Sequence, residues 1–246
     1  HSTFSRFRGR LPKAAMDAIN SEILRQFEQQ GLSINEGVAV DARLVKSASR
    51  PLSNDELKKQ REHRQTEEGK QDKNGKPLKF SRDLDSDWVI KNDTPHFGLK
   101  EHAAVDARHG FVLATTLTPS SVNDTNLLPY CTAFSRHTKQ KIKKVYADKG
   151  YAGNPNRDFL ALNQIDDGIM RKNSTTAKLT ASEILRNKAI SKIRYIVEQY
   201  FGISHLHDRA NRARFTTIIK NKFDAWFRQA AFNVARGMKI LSRVTV

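Results

Sequence analysis

The sequence of 246 residues predicts an α/β fold, a mixed β-sheet with helices packed against it. Runs rich in β-branched residues alternate along the chain with amphipathic helical segments, which is the first sign of this class. The composition is the second, because 38% hydrophobic and 28% charged residues supply a core beneath a very polar surface. A disulfide miniprotein is excluded by the single cysteine, Cys131. No apolar run approaches the roughly 20 residues that cross a bilayer, so no membrane is expected.

The N-terminal part predicts one helix, one strand and a polar insertion. Apolar residues recur at helical spacing from Pro12 to Gln30, and Gly31 can end that helix. The run VAVDARLV that follows predicts a buried strand. Residues 46–95 are dense in Lys, Glu, Gln, Asp and Ser, so we expect a mobile insertion after this first strand. We therefore divide the chain into an N-terminal helical segment, 1–36, and one domain, 37–246.

The middle of the chain predicts a hairpin followed by alternating short elements. HFGLKEHAAVDARHGFVLATTLTP contains two alternating runs around residues 108–110, the pattern of two antiparallel strands. Asp124 in SVNDTNLLPY is expected to cap a helix. KKVYADKGY then predicts a strand that ends on Asp148, NRDFLALN a short helix and DGIMRKN a short strand.

The last part of the chain predicts two basic helices within residues 181–243. Thr180 and Glu183 have the spacing of a capping box, and the helix that follows is expected to stop at Gly202. A second long helix is expected from 218 to 241, with an apolar face and scattered Lys and Arg.

The charge of the chain indicates a polyanionic partner. Lys and Arg number 43 against 26 Asp and Glu, a net charge of +17. Residues 169–246 hold 16 basic and 4 acidic residues, and so +12 of this excess. A nucleic acid is the expected partner of such a surface. Ribosomal and histone-like proteins are also basic, so the charge alone does not indicate an enzyme.

Three acidic residues stand where a charge is costly. Asp41 and Asp148 each close an apolar strand pattern, and burying an unpaired carboxylate costs several kcal/mol. A divalent cation is one explanation, since Mg²⁺ prefers hard oxygen ligands. The other is that each aspartate caps a turn after its strand; beside Asp41 the sequence offers Arg43 as a basic partner. Glu198 lies one helical turn after Arg194, where it faces the sheet edge or forms an ordinary surface ion pair with Arg194.

Four stretches of the chain resemble one known family. They are VDARLVKSASRP around Asp41, HFGLKEHAAVDARHGFVLATTLTPSSVNDT, VYADKGYAG around Asp148, and RYIVEQYFG followed by RARFTTIIKNKFDAWFRQAAFNVARGMKI. On these motifs the chain resembles the catalytic part of bacterial insertion-sequence DDE transposases, of the groups usually called IS-four and IS-five. The resemblance implies a ribonuclease H-like mixed sheet flanked by helices. It also implies that Asp41, Asp148 and Glu198 are the catalytic, metal-binding triad.

The chemistry implied by this resemblance is metal-dependent. Two Mg²⁺ ions, with Mn²⁺ as the alternative, would serve cleavage at insertion-element ends and strand transfer of the 3′-hydroxyl into target DNA. A ribonuclease H-like nuclease without strand transfer, or an inactive basic DNA-binding fragment, are the alternatives. The implied partner is double-stranded DNA, with a homodimer as an option in the DNA complex, and the implied location is the bacterial cytoplasm at the nucleoid.

The resemblance also suggests which basic residues face DNA. The family's third motif has a basic residue on each side of its glutamate; Arg194 fits the first position and His205 falls on the second, where the family usually has lysine. From the basic last third we add Arg209, Arg212, Arg214, Lys220 and Lys222. Lys100 and His102 resemble family positions near the active edge, but a solvated lysine and a packed histidine explain them equally well. Full-length members carry an upstream helical DNA-binding segment, of which TFSRFRGRLP resembles the tail.

Overall fold

The computed structural model describes residues 10–34, 37–66, 82–134, 142–174 and 177–244, together with Thr3 and Phe7. Its strands are β1 (Val38–Lys46), β2 (Asp87–Lys91), β3 (Thr94–Asp106), β4 (Val112–Pro119), β5 (Lys144–Ala147) and β6 (Asp166–Ile169). Its α-helices are α1 (Lys13–Gln29), α2 (Asn54–Gln65), α3 (Leu128–Phe134), α4 (Asn154–Leu162), α5 (Ala181–Asp208) and α6 (Ile218–Val244). None of the helices in these ranges combines the length and apolar character that crossing a membrane requires.

The strands form one mixed sheet. The long strand β3 pairs antiparallel with β1, β2 and β4. Strand β1 pairs in parallel with β5, and β5 in parallel with β6. The carboxyl ends of these three parallel strands therefore meet at the same edge of the sheet. The prediction of a mixed sheet flanked by helices is confirmed, and the arrangement agrees with a ribonuclease H-like fold.

Helices cover both faces of the sheet. Neighbouring residues of a strand point to opposite sides, so β1 contributes residues to the core on each face. On one face Val40 of β1 packs in a core cluster with Leu128 of α3 and Leu160 of α4. On the other face Ala39 packs in a separate cluster with Val197 of α5. Asp41 is on the same side as Ala39, and so it faces α5.

Helix α1 packs into the main core. Phe27 stacks on Phe111 with ring centroids 5.3 Å apart. Gly237 of α6 lies directly against the Phe27 ring, where any side chain at this position would overlap the ring. The Trp226 indole N–H donates to the backbone oxygen of Met16 at 2.7 Å. The predicted helix of residues 12–30 is confirmed, and this segment is built into the sheet domain.

Residues 46–95 contain more structure than their composition predicts. Helix α2 starts at Ser53, whose hydroxyl accepts from the Glu56 N–H, and β2 pairs with β3. Four buried residues form a small core of their own: Leu52, Leu57, Leu84 and Phe97. The expectation of a stretch without its own structure is therefore wrong for 54–65 and 87–91, because Phe97 from β3 completes a core that the insertion alone lacks. Residues 67–81 of the predicted insertion lie outside the described residues.

Two predicted helix boundaries are wrong. Asn123, not Asp124, caps the turn after β4, since the Asn123 side chain accepts from the Thr125 N–H at 3.1 Å. The Asp124 carboxylate instead pairs with Lys100 at 2.8 Å. Helix α5 does not stop at Gly202 but continues to Asp208. A glycine inside a helix costs only about 1 kcal/mol, and the buried residues on either side of it, Tyr200 and Ser204, hold the helix against the domain.

Candidate active site

The strand register brings two of the predicted acids together. Asp41 lies in the middle of β1, and Asp148 directly follows β5. The parallel pairing matches Val38 with Val145 and Ala39 with Tyr146. Two residues further along each strand, this register makes Asp41 level with Asp148. Their charges interact, because the Asp148 carboxylate contributes to raising the pKa of Asp41.

Asp41 is a desolvated carboxylate held by two donors. Its side chain is 19% exposed. Oδ1 accepts from the Ala42 N–H at 2.9 Å, and Oδ2 accepts from Arg194 Nη2 at 2.6 Å. Burial raises the pKa of Asp41 above its ordinary value and Arg194 opposes that shift. Asp41 does not cap a turn, since β1 runs on to Lys46, and this alternative explanation is wrong.

Asp148 caps the turn that follows β5. Its Oδ1 accepts from the Gly150 N–H at 2.7 Å, which begins a 3₁₀ turn at Lys149–Tyr151. A side chain at Gly150 would collide with the Asp148 carboxylate. The turn therefore fixes the orientation of this carboxylate at the end of β5.

Glu198 approaches the two aspartates from α5, across Arg194. The Arg194 guanidinium lies 2.6 Å from Asp41 Oδ2 and 3.9 Å from Glu198 Oε1. Arg194 is 10% exposed, whereas the Glu198 side chain is 53% exposed. A basic group thus stands between the first and the third predicted acid. Within the described ranges, no three His, Cys, Asp or Glu side chains are arranged to hold a metal ion together.

The residues nevertheless fit a divalent cation in charge and chemistry. Asp41 is costly to ionise because of burial and of the neighbouring Asp148, and a cation between the two relieves both effects. In the structure, Arg194 supplies a positive charge next to Asp41. Carboxylate oxygens are also the ligands that Mg²⁺ and Mn²⁺ prefer.

Comparison with known proteins identifies the family of this chain. Residues 34–234 match the family model described as Transposase DDE domain. The chain belongs to the DDE transposase family. It is 33% identical over 246 residues to the transposase for insertion sequence element IS1106 of Neisseria meningitidis serogroup B. That match covers 97% of this chain and 79% of the relative. The family uses divalent metal ions.

Two solved transposase structures are more distant in sequence. The piggyBac transposase synaptic complex with hairpin DNA matches with a TM-score of 0.43 at 9% identity, over 82% of this chain and 48% of that chain. The Mos1 strand transfer complex matches with a TM-score of 0.26 at 11% identity, over 91% and 63%. The chain spans about half the length of the first of these and under two thirds of the second.

The basic residues predicted to face DNA occupy different environments in this DDE transposase. Arg194 lies next to Asp41 and Glu198. Arg212 donates to the backbone oxygens of Ser47 and Ala48, at 3.2 and 3.3 Å. Arg214 pairs with Asp224 at 3.3 Å. Both of these arginines are exposed, and so are the remaining four residues: His205, Arg209, Lys220 and Lys222.

The sequence did not predict a buried network of charged residues around Glu101. Glu101 of β3 is fully buried and pairs with Arg43 at 2.6 Å and with Arg228 at 3.4 Å. The Tyr200 hydroxyl lies 3.2 Å from the same carboxylate. Burial raises the pKa of Glu101, but the two arginines outweigh it and leave that pKa lowered. Arg43, the expected basic partner of Asp41, is thus bound to Glu101. The acidic residue inside the strand pattern LKEHAAV could have indicated this network from the sequence.

On the face opposite Asp41, His102 is buried and Lys100 is half-buried. Lys100 Nζ donates to the Val122 oxygen and pairs with Asp124, both at 2.8 Å. His102 Nε2 is 2.9 Å from the Thr118 hydroxyl. Burial lowers the pKa of His102 to about 4, so the imidazole is neutral near pH 7. His102 is thus the packed histidine that the sequence offered as an explanation, whereas Lys100 is bonded and is not a solvated lysine.

Proposed function

We propose that this DNA transposase cleaves the ends of its insertion element and transfers the freed 3′-hydroxyl into target DNA. In this proposal Asp41, Asp148 and Glu198 hold two Mg²⁺ ions, with Mn²⁺ as a substitute. The observation that carries it is the β1–β5 register, which makes Asp41 level with Asp148 while α5 brings Glu198 to the same edge.

Bound divalent ions would supply activation of water near neutral pH and stabilisation of charge on the attacking and leaving oxygens. The residues of the chain supply the rest. The Gly150 cap holds the Asp148 carboxylate in one orientation. The Arg194 guanidinium leaves Asp41, which frees its Oδ2, and Glu198 moves in from its exposed position. A released Arg194 is then available to a DNA phosphate.

Double-stranded DNA is the proposed partner, as element end and as target. Six of the predicted basic residues are exposed beyond the acid site, from the end of α5 to the start of α6: His205, Arg209, Arg212, Arg214, Lys220 and Lys222. Lysine and arginine contacts to phosphates position a duplex without reading its sequence. A homodimer in the DNA complex belongs to the same proposal, and its test is the mass of the complex in solution.

The sharpest test of the acid site is Asp148→Asn. Asparagine caps a turn as well as aspartate does, so folding should be retained while one charge of the metal site is lost. We expect cleavage of a duplex carrying the native element's terminal sequences to fall by about 100-fold or more, as for a ligand of a catalytic metal. Asp158→Asn, at an exposed acid of α4, is the matched control and should cleave normally.

Asp41→Asn should lose cleavage too, and it should also lose stability. The sequence alone suggests that this variant folds as well as wild type or better. The structure changes that expectation, because Arg194 is 10% exposed and would lose its charged partner. Wild-type cleavage by Asp148→Asn contradicts the proposed site. Cleavage without joined products indicates the nuclease alternative.

A further inference from the structure

Three arginines from different parts of the fold meet around one carboxylate, that of Asp167 on β6. Arg157 of α4, Arg171 just after β6 and Arg186 of α5 lie 3.3, 3.4 and 3.6 Å from its oxygens. The three arginine side chains are 31, 34 and 30% exposed, so a ligand from solvent can reach each of them. These three residues are called the arginine cluster below.

This carboxylate does not satisfy three guanidiniums. Its Oδ1 accepts from the Ile169 N–H at 2.7 Å. Arg157 and Arg171 share Oδ2, at distances longer than the roughly 2.7–2.9 Å of a charge-assisted hydrogen bond. Among the described residues, the buried Nε of Arg157 has no hydrogen-bond partner. A second acid close to the cluster, Glu183, accepts from the Thr180 N–H in the capping box of α5. Against these two carboxylates the three guanidiniums leave one positive charge in excess.

The positive charges of the arginine cluster repel one another. Burial lowers the pKa of Arg186, and the charges of Arg171 and Arg157 lower it further, while Asp167 opposes the shift. An anion set among the three guanidiniums relieves this repulsion. A phosphate group fits such a place, since its oxygens match the planar guanidinium fork.

The fold holds the arginine cluster at the outer edge of the sheet. In the described sheet β6 is the last strand, and Arg186 donates to the backbone oxygens of Asp167 and Ile169 at 2.6 and 2.8 Å. The Arg171 N–H donates to Asn187 Oδ1 at 2.8 Å, and Asn187 donates back to the Arg171 oxygen at 3.0 Å. Because the backbone on both sides is fixed in this way, the cluster is preorganised for a ligand.

The arginine cluster flanks the acid site on the side away from the end of α5. At 1.5 Å per residue, Arg186 and Glu198 are about 18 Å apart along the helix axis. Arg209 lies about 16 Å beyond Glu198 in the other direction. The two basic regions are therefore about 34 Å apart, roughly one turn of B-DNA. A duplex that lies along α5 with its cleaved bond at the acids can contact both.

We propose that the arginine cluster binds a backbone phosphate of the DNA duplex, on the flank of the acid site opposite to the end of α5. Such a contact positions the duplex without reading its sequence. This inference rests on the proposed DNA partner, but it needs neither the metal ions nor the cleavage chemistry.

The test measures the affinity of the full chain for a duplex carrying the native element's terminal sequences, without divalent metal so that no cleavage occurs. The double variant Arg157→Gln, Arg171→Gln leaves Arg186 to hold β6. We expect its affinity to fall about 10-fold or more. The slope of log K against log salt should fall by about 1, for one phosphate contact. The matched control is Lys58→Gln, Lys59→Gln, which removes two exposed charges from α2 and should change both quantities little.

Asp167→Asn should have the opposite effect on DNA affinity. Asparagine keeps an acceptor for the Ile169 N–H but removes the carboxylate that competes with a phosphate for the arginines. We expect the affinity to rise about 3-fold or more. Asp158→Asn, at an exposed acid next to Arg157 in the sequence, removes the same charge and should raise the affinity less.

The outcomes separate this inference from the proposed function. A loss of affinity in the double arginine variant no larger than in the lysine control overturns the phosphate contact and leaves the DNA partner in place. Unchanged or weaker binding by Asp167→Asn also overturns it, because the carboxylate would then support the fold and not compete with DNA. If the double variant loses only stabilisation by inorganic phosphate in thermal unfolding, the ligand is a free anion and the DNA contact is overturned. No duplex binding by wild type overturns the proposed DNA partner and the role of the arginine cluster with it.

Discussion

Asp106 is a buried carboxylate that the proposed chemistry does not use. It ends β3 and is fully buried. Its Oδ2 accepts from the His109 N–H at 2.5 Å inside the hairpin turn, where Gly110 has a φ of +79°. Among the described residues, its Oδ1 has no hydrogen-bond partner. Burial raises the pKa of Asp106 from 3.8 to about 6, although backbone N–H groups oppose the shift.

Asp106 should therefore make stability depend on pH. A raised pKa in the folded chain contributes stability that is fully present below about pH 4 and is lost as pH rises through about 6. The whole effect is about 3 kcal/mol, for roughly two pKa units at about 1.4 kcal/mol each. Asp106→Asn keeps the acceptor for His109 and removes the charge. We expect the variant to be more stable than wild type at pH 7 and to match it near pH 4, in urea unfolding at each pH. A difference that is independent of pH contradicts this account.

The acids of the site could be found in the sequence, but their partners could not. A charge inside an apolar strand pattern singles out Asp41 and Asp148 without any knowledge of the fold. The bond from Arg194 to Asp41 joins residues 153 positions apart. The pair Arg43–Glu101 depends on the register of β1 with β3, and residues 47–93 separate those strands. Local patterns carry no information on such a register.

Helix α5 links the acid site to the basic surface. Arg186 near its start donates to the backbone oxygens of Asp167 and Ile169 on β6. Arg194 in its middle binds Asp41 on β1, and Arg209 caps the C-terminus of the helix. At 1.5 Å per residue, Glu198 and Arg209 are about 16 Å apart along the helix axis. A duplex engaged at the acids can therefore also reach the end of α5.

Salt dependence of DNA binding tests this basic surface. The triple variant Arg209→Ala, Lys220→Ala, Lys222→Ala removes three exposed charges and leaves Arg212 and Arg214 to hold their partners. Each phosphate contact contributes about 0.9 to the slope of log K against log salt, so the slope should fall by roughly 2 to 3.

A control triple tests the other candidate for the DNA surface. It changes the exposed Arg50, Lys58 and Lys59 of the insertion to alanine and should leave the slope unaltered. If the control flattens the slope and the first triple does not, the duplex lies along the insertion.

At the scale of the whole molecule, the sequence predicts the sheet better than what surrounds it. VAVDARLV and the hairpin around Gly110 follow from strand alternation, and both strands form as predicted. The insertion was mispredicted because its apolar residues are sparse and far apart. Leu57 and Leu84 share their core with Phe97 of β3, which lies outside the insertion. Composition measures each stretch alone and misses a core that two stretches share.

The N-terminal segment also shares a core with distant parts of the chain, and this contact yields a prediction for the stability of the whole fold. Phe27 packs on Phe111 and against Gly237, so that α1 connects the turn between β3 and β4 to α6. Phe27→Ala should cost about 3 kcal/mol or more in urea unfolding, the usual loss for a core phenylalanine. Ile19→Ala in the same helix is the control and should cost about 1 kcal/mol or less, because Ile19 is 41% exposed. Equal losses would mean that α1 is not part of the core.

A double-mutant cycle makes this contact specific. Gly237→Ala should destabilise the wild-type chain, since the added methyl group overlaps the Phe27 ring. In the Phe27→Ala background the same change should be neutral or stabilising, because alanine favours a helix over glycine by about 1 kcal/mol. The sign of the Gly237→Ala effect should thus reverse between the two backgrounds. If Gly237→Ala has the same effect in both, the two residues are not in contact, and the N-terminal helix is held to the sheet by other means.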